Sequence, residues 1–535
     1  MHRRQFLRAT ASLGVPAAVG ALSSRDGTAH PTKSTESNTT TATGTSTPTP
    51  TPTAAAATPT SGYEPVGSVA VEGATEAVTS PDGETAFVAT FDGFAAVDLS
   101  DPAEPTILVE KRDISPPGTT QVMQGIQDVK YDDGRLLVAA PANYDPDGFH
   151  GIALYDVSDP ANPDLLRAFQ TAYPIHNCDL DGGYAYLTGN NRDDNPLVVV
   201  DVDRDEPAEV ARWSLFDHDP VWESVPLRLR TLHDVFVSDG RAYLAYWDAG
   251  TWILDVSDPA NPTYVADVRE RSPEELADLR GLAVAREGKE PPGNDHYAAT
   301  DPDGSLLAVG KETWNSNFGK DETTPGPDDP GGPSGIDLYD LSDPERPEHL
   351  STIDPPTTAD PNINGVWTTA HNFEIAAGHL YSSWYRGGVM VHDLSDPTDP
   401  ERVRYFRRSS ETSFWTAQLA APGEAVIASS RANPSAPEAP ARLYVFPDVT
   451  RATPTPDPTR SPTDSGGRTP TDASGGGTGG TDPDGTDDGT TGDGTTGDGT
   501  AADGPGFGPA AALTGLGIGA WRLLGSVDAA VEPED

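Results

Sequence analysis

One cysteine, Cys178, occurs in 535 residues, so the chain can form no internal disulfide and no thiolate-built zinc cluster. Stability has to come from core burial and backbone pairing. Lysine is scarce too, with six residues against 29 arginines, while 83 Asp and Glu outnumber 35 Lys and Arg. The resulting net charge of −48 repels nucleic acid and anionic membrane surfaces and removes DNA and RNA from the candidate partners. High salt would screen the self-repulsion that such a charge imposes. Hydrophobic side chains make up only 35% of the chain, against 54 glycines and 52 prolines, so much of it is not packed core. Nucleophile elbow, P-loop, dinucleotide fingerprint and HExxH are all missing, which leaves hydrolase, ATPase and dehydrogenase readings without support.

What is present begins at the termini. Arg3 and Arg4 precede Phe6, Leu7 and the apolar run ASLGVPAAVGAL, which is too short to span a bilayer. This resembles a twin-arginine export signal, expected over 1–27, and no cysteine follows it to carry a lipid. Residues 28–61 are Thr, Ser, Pro and Ala and predict a disordered stalk, with the sequon Asn38-Thr39-Thr40 inside it. Residues 451–504, rich in Thr, Gly and Asp, predict a second, charged spacer. Pro505, Gly506 and Phe507 then open an apolar stretch reaching Leu524. The segment 505–535 resembles the PGF-CTERM sorting signal, which implies removal of the tail and attachment to a lipid at the cell surface. It departs from that pattern at its end, where Arg522 is followed by the acidic SVDAAVEPED instead of a basic cluster. The lysine-poor, acidic balance resembles that of proteins from halophilic archaea. Export by the twin-arginine pathway to an extracellular, surface-anchored location is the expectation.

Between the two spacers the chain repeats itself. GFAAVDLSDPAEP (93–105), GIALYDVSDPANP (151–163), PLVVVDVDRDEP (196–207), GTWILDVSDPANP (250–262), GIDLYDLSDPERP (335–347) and GVMVHDLSDPTDP (388–400) share one pattern, and ARLYVFPDV (441–449) is a weaker seventh copy. Each joins an alternating apolar strand to an Asp, Ser and Pro turn and then to a further strand. Upstream of each lies a strand, a glycine turn and a strand, such as QDVKYDDGRLLVAA and HDVFVSDGRAYLAY, with the Asp-Gly chemistry of a hairpin. Four antiparallel strands in each of seven repeats predict an all-β fold, a seven-bladed β-propeller over 62–450. The last copy lacks an outer strand, and YEPVGSVAVEG (63–73) resembles the outer strand NPTYVADV, so an N-terminal strand should close the last blade. Insertions at 266–292, where Ser272 and Glu275 have capping-box spacing, and at 311–334 are candidate binding loops. The DLSDPxxP copies resemble the LVIVD repeat family, which implies a propeller and a secreted or surface location and fixes no activity.

The DLSDP acids match turn formers better than calcium ligands, because they recur in every strong copy and lack EF-hand spacing. A more specific signal opens the first strand of each blade. Those positions are Glu76, Gln127, His176, His233, His296, His371 and Trp415, each a few residues before its turn glycine, so they should ring one mouth of the central channel. His176, His233, His296 and His371, with Glu76 added, are the candidate ligands for copper, zinc or iron, and Gln127 and Trp415 are candidate binding residues at the channel mouth. Such a centre would be similar to that of the selenium-binding protein and methanethiol oxidase group. Cys178 is expected on the same face as His176 by strand alternation. The competing reading is that these histidines only hydrogen-bond neighbouring strands. Trp222, Trp314, Trp367, Trp384 and Trp415 are either loop contacts for a partner or blade-packing residues. Two functions follow. The first is a non-enzymatic surface module for a protein or polysaccharide, and the second is an extracytoplasmic metalloprotein or oxidoreductase that uses the histidines. No catalytic residue and no organic cofactor site is assigned.

Overall fold

The structure, a computed structural model, describes residues 62–316 and 331–449. The expected signal, stalk, spacer and sorting segments lie outside the described residues, as does most of the 311–334 insertion. Among the described residues no helix is long and apolar enough to cross a membrane.

Seven four-stranded antiparallel sheets follow one another around a closed ring. The inner strands are Ala74–Thr79, Asp128–Asp132, Ile175–Asp181, Asp234–Ser238, Asp295–Thr300, Phe373–Ala376 and Phe414–Ala421. Burial falls from the axis outwards. The second strand of the first blade, Thr85–Thr90, is buried throughout, whereas the outer strand Thr106–Arg112 is largely exposed. Apolar side chains pack between adjacent blades, as where Leu137 and Ile152 of the second blade meet Leu187 and Val198 of the third.

Turn chemistry matches the repeat. Asp133 and Gly134 both take positive φ (44° and 76°), as do Asp239 and Gly240 (48° and 71°), which is the tight hairpin turn that Asp-Gly favours. In the DLSDP turn the first Asp accepts the amide of the residue two further on, and the second Asp does the same. Asp98 Oδ1 takes Ser100 N at 2.9 Å and Asp101 Oδ1 takes Ala103 N at 3.0 Å, a pairing repeated at Asp156 and Asp159 and at Asp393 and Asp396. These acids are therefore turn staples. A β-bulge sits between the third and outer strands at the equivalent place in each of blades one to six, for example at Ala96/Val97 and Ile253/Leu254.

The seventh blade takes its outer strand from the N-terminal side. Gly67–Ala70 pairs antiparallel with Arg442–Pro447, and Val66 N and Val71 N donate to Val445 O and Ala441 O. Closure is tight at Gly67, where a Cβ would lie 2.3 Å from Pro102 O in the first blade's own turn. Val71 is fully buried between the first and last blades. An internal deletion of 66–72 would expose both a sheet edge and this core, so it is expected to destabilise the folded chain by more than about 4 kcal/mol in urea unfolding. An unchanged midpoint would contradict closure by this strand.

Candidate functional site

All inner strands start at one face, so the blade-to-blade connectors and the loops between second and third strands emerge there as well. That face carries the long connectors 113–127, 214–233, 269–294 and 354–372 and the loops 141–150 and 431–441. Within 269–294, Ser272 and Glu275 form the expected capping box on the helix Pro273–Ala277. The insertions thus roof one mouth of the ring.

Beneath that roof the chain turns four imidazoles into a row. Bulges interrupt the inner strands between Ile175 and Cys178, between Asp295 and Tyr297 and between Phe414 and Thr416, and they re-aim His176, His296 and Trp415. Thr188 fixes the first of these, its Oγ1 accepting from His176 N at 3.1 Å and Asn177 N at 3.0 Å. Ring centroids are 4.3 Å apart for His176 and His233, 4.0 Å for His233 and His296, 4.6 Å for His296 and His371, and 4.3 Å for His371 and Trp415. His233, His296 and His371 are buried and His176 half-buried. Burial is the main cause that lowers all four below the usual histidine range, His296 to about 3. They are neutral near pH 7.

A neutral imidazole facing a carbonyl must donate to it. Nδ1 of His176 donates to Ala142 O (2.8 Å), that of His233 to His296 O (3.0 Å) and that of His371 to Trp415 O (2.6 Å). The lone pair of each is thereby fixed on Nε2, the outer-shell arrangement found behind metal-bound histidines. His296 differs, because its Nδ1 is buried without a partner and its Nε2 lies 3.6 Å from Glu312 Oε2. One ligand atom each from His296, Glu312 and His371 lies within 4.8 Å of the others. Burial raises the Glu312 carboxyl to about 7, and Tyr385 Oη donates to its Oε1. Tyr385 also packs on His371 at 4.6 Å, and its backbone is left-handed (φ 46°), as is that of Trp247 (φ 47°) beside His233. Strained aromatic backbone at two equivalent loops marks a place that packing over-determines. The Arg431 guanidinium lies 4.9 to 5.4 Å from the Tyr385, Trp415 and Trp367 rings.

The structure brings His176, His233, His296, His371 and Trp415 together and places Gln127, half-buried, at the same level of the second blade. Glu76 is one residue deeper. Register pairs Ala77 with Val88 as it pairs Val129 with Val138 and Val235 with Leu244, so Glu76 corresponds to Asp128 and Asp234 and not to the histidines. Its Oε2 accepts from Asn372 Nδ2 at 2.5 Å. The bulge also breaks the alternation assumed for Cys178, which packs among Ile175, Leu187 and Val198 between blades. Of the tryptophans, Trp222 and Trp384 are fully buried packing residues, and Trp314 lies 4.9 Å from the partly exposed Trp367.

Sequence reasoning missed Glu312, Tyr385 and Trp247, which come from loops, and the polar layer below the imidazoles. In that layer Lys130 pairs with Asp128, and burial, which would lower the ammonium, is outweighed by Asp128, Glu76 and Asp234. A signal for the layer was available, since each of His176, His233 and His371 is followed at once by Asn or Asp. Carboxylates here also tie one inner strand to the next: Asp128 Oδ2 accepts from Cys178 N at 2.8 Å and Asp179 Oδ2 from Val237 N at 2.6 Å.

Asp179 is pushed up from 3.8 to about 6 by burial, against the pull of Lys130. A carboxyl raised in the folded state lends its full stability below its unfolded pKa and loses it as pH rises through the folded value. Asp179→Asn is therefore expected to gain on the wild type, by up to ~3 kcal/mol, between pH 4 and pH 7. Urea unfolding across that range at constant salt reads this, and a difference that does not change with pH would contradict a buried, raised carboxyl.

Residues 82–111 and 230–269 match the family model of the LVIVD repeat. No curated protein matches the chain. The β-propeller domain of Cps50 (Swd1) from Myceliophteria thermophila is similar over 72% of this chain and 99% of its own, at 11% identity and a TM-score of 0.47. A functionally unknown protein from Desulfotomaculum acetoxidans DSM 771 is similar over 62% and 84%, at 11% identity and a TM-score of 0.41. With seven closed blades, the chain is a β-propeller, two segments of which match the LVIVD repeat.

Proposed function

We propose that the protein is an exported metalloprotein whose propeller holds one transition-metal ion between His296, His371 and Glu312. The observation that carries this reading is the donor set itself: two neutral, buried imidazoles and one carboxylate with their ligand atoms within 4.8 Å of one another. Tetrahedral ligand atoms on bonds of roughly 2.1 Å lie about 3.4 Å apart, so binding asks for a contraction of up to about 1.4 Å from the 4.8 Å bound. Two histidines and one carboxylate suit iron or zinc, and a further imidazole from His233, next in the row, would bring copper within the set. Three protein ligands leave coordination positions open, the pattern of a reactive rather than a purely structural site. A bound ion would polarise an oxygen ligand or, as iron or copper, exchange an electron. The chain's own part is to hold Glu312 through Tyr385, to fix the His371 tautomer through Trp415 O and to exclude water with the surrounding aromatic rings.

A second reading treats the roofed face as an interaction surface for a protein or polysaccharide. It is favoured by the concentration of long loops on that one face. Both readings place the chain outside the cell. Their support is the Arg3-Arg4 signal pattern, the two spacers and the Pro505-Gly506-Phe507 segment. The acidic composition suits a salt-rich medium.

Elemental analysis of the full-length protein should find about one iron, zinc or copper per chain, and His296→Ala or His371→Ala should remove it. Tyr385→Phe, which frees Glu312, should weaken uptake by about 10- to 100-fold. Absence of uptake on titration, or full occupancy in His371→Ala, would sink the metal reading. Separately, replacing Arg3 and Arg4 by Lys should retain the chain in the cytoplasm of its own cells. Normal export of that variant would contradict the signal.

A further inference from the structure

A small cleft lies apart from the imidazole row on the same face. Tyr144 from the second blade's loop, Tyr173 and Pro174 from the connector to the third blade, and Asn190, Asn191 and Arg192 from the third blade's loop enclose about 150 Å³. That is well below the roughly 300–1,000 Å³ of a pocket for a drug-sized ligand and leaves room for a single small ring. Its walls are held in place. Asn191 accepts from Asp193 N (2.9 Å) and Asn195 N (3.1 Å) and donates to Asp194 Oδ1 (2.5 Å), while Arg212 Nη2 donates to the Tyr173 hydroxyl (3.1 Å). Thr171 Oγ1 fastens the connector through Tyr173 O at 2.6 Å.

Three features of this cleft are left over once the fold is accounted for. Tyr144 is 47% exposed, an unusual state for a tyrosine in a molecule that buries most of its aromatic rings. Asn190 Oδ1 is shielded from water and finds no donor, so this amide has hydrogen-bonding capacity unused by the protein. The guanidinium of Arg192 lies 4.9 Å over the Tyr144 ring, and among the described ion pairs none takes it. A half-exposed ring, one amide with unused capacity and a guanidinium in no described ion pair suit a ligand that has an apolar face and hydroxyl groups able both to donate and to accept. The loops also carry Asp145, Asp147, Asp193 and Asp194, which disfavour an anion.

We propose that this cleft binds one neutral pyranose residue of a polysaccharide, packed against Tyr144 and hydrogen-bonded by Asn190 and Arg192. The proposal rests on the interaction-surface reading and deepens it, and it is independent of any metal. Calorimetry on the full-length protein with mannohexaose, maltohexaose, cellohexaose and polygalacturonate tests it. At least one neutral hexaose should bind; Tyr144→Ala should weaken it by about tenfold or more, while Tyr144→Phe and His371→Ala leave it unchanged. Binding that survives Tyr144→Ala overturns the cleft and leaves the wider face as an interaction surface. Preference for polygalacturonate overturns the neutral class. Failure of all four to bind the wild type overturns the polysaccharide reading together with the cleft.

Discussion

Seven inner strands converge on one axis, and their first residues have nowhere to point but at one another. Ring closure by Gly67–Ala70 holds that convergence in place, because an open ring would let the first and seventh blades part. The imidazole row and the polar layer beneath it follow from what the sequence puts at those few crowded positions. Most propeller positions near the axis could be filled by small or apolar side chains. Here they are filled by imidazoles, carboxylates, amides and one ammonium, nearly all buried. Such groups are costly to bury unless they are partnered.

The partnering divides by depth. At the mouth the imidazoles are neutral, and His176, His233 and His371 each donate one ring N–H to a backbone carbonyl, which leaves their Nε2 lone pairs free. One step deeper, Lys130 offsets part of the charge of Glu76, Asp128 and Asp234, and amides such as Asn177 and Asn372 complete the bonding. The polar layer therefore binds the blades to each other, and the imidazole layer is left with unused ligand capacity. His296 shows this most clearly, with a buried Nδ1 that no group among the described residues satisfies and Glu312 facing its other nitrogen.

The fold could be read from sequence because its turns are chemically explicit. Asp-Gly pairs demand hairpins, DLSDP staples its own backbone, and the missing last strand has a match at the N-terminus. The row of histidines was legible from the distance of each to its turn glycine. Glu76 and Cys178 were misplaced for two physical reasons: the first blade's turn is longer than the two-residue Asp239-Gly240 turn, so the same spacing to the glycine lands one residue deeper at Glu76, and the bulge at Ile175/Cys178 breaks the alternation assumed for Cys178. Glu312, Tyr385 and Trp247 were invisible for another. They arrive from loops whose path is set by contacts across blades, such as Tyr385 O with Phe414 N, and not by local pattern. The tryptophans were ambiguous in composition and were resolved by burial, with Trp222 and Trp384 packed in cores.

X-ray absorption at the metal edge of the purified full-length protein tests the imidazole row most directly. A centre at His296, His371 and Glu312 predicts a first shell of nitrogen and oxygen at about 2.0–2.2 Å, with the outer-shell scattering of at least two imidazole rings. A spectrum of oxygen ligands alone, or one unchanged by His296→Ala, would show that any bound metal sits elsewhere and that the row is only a structural device.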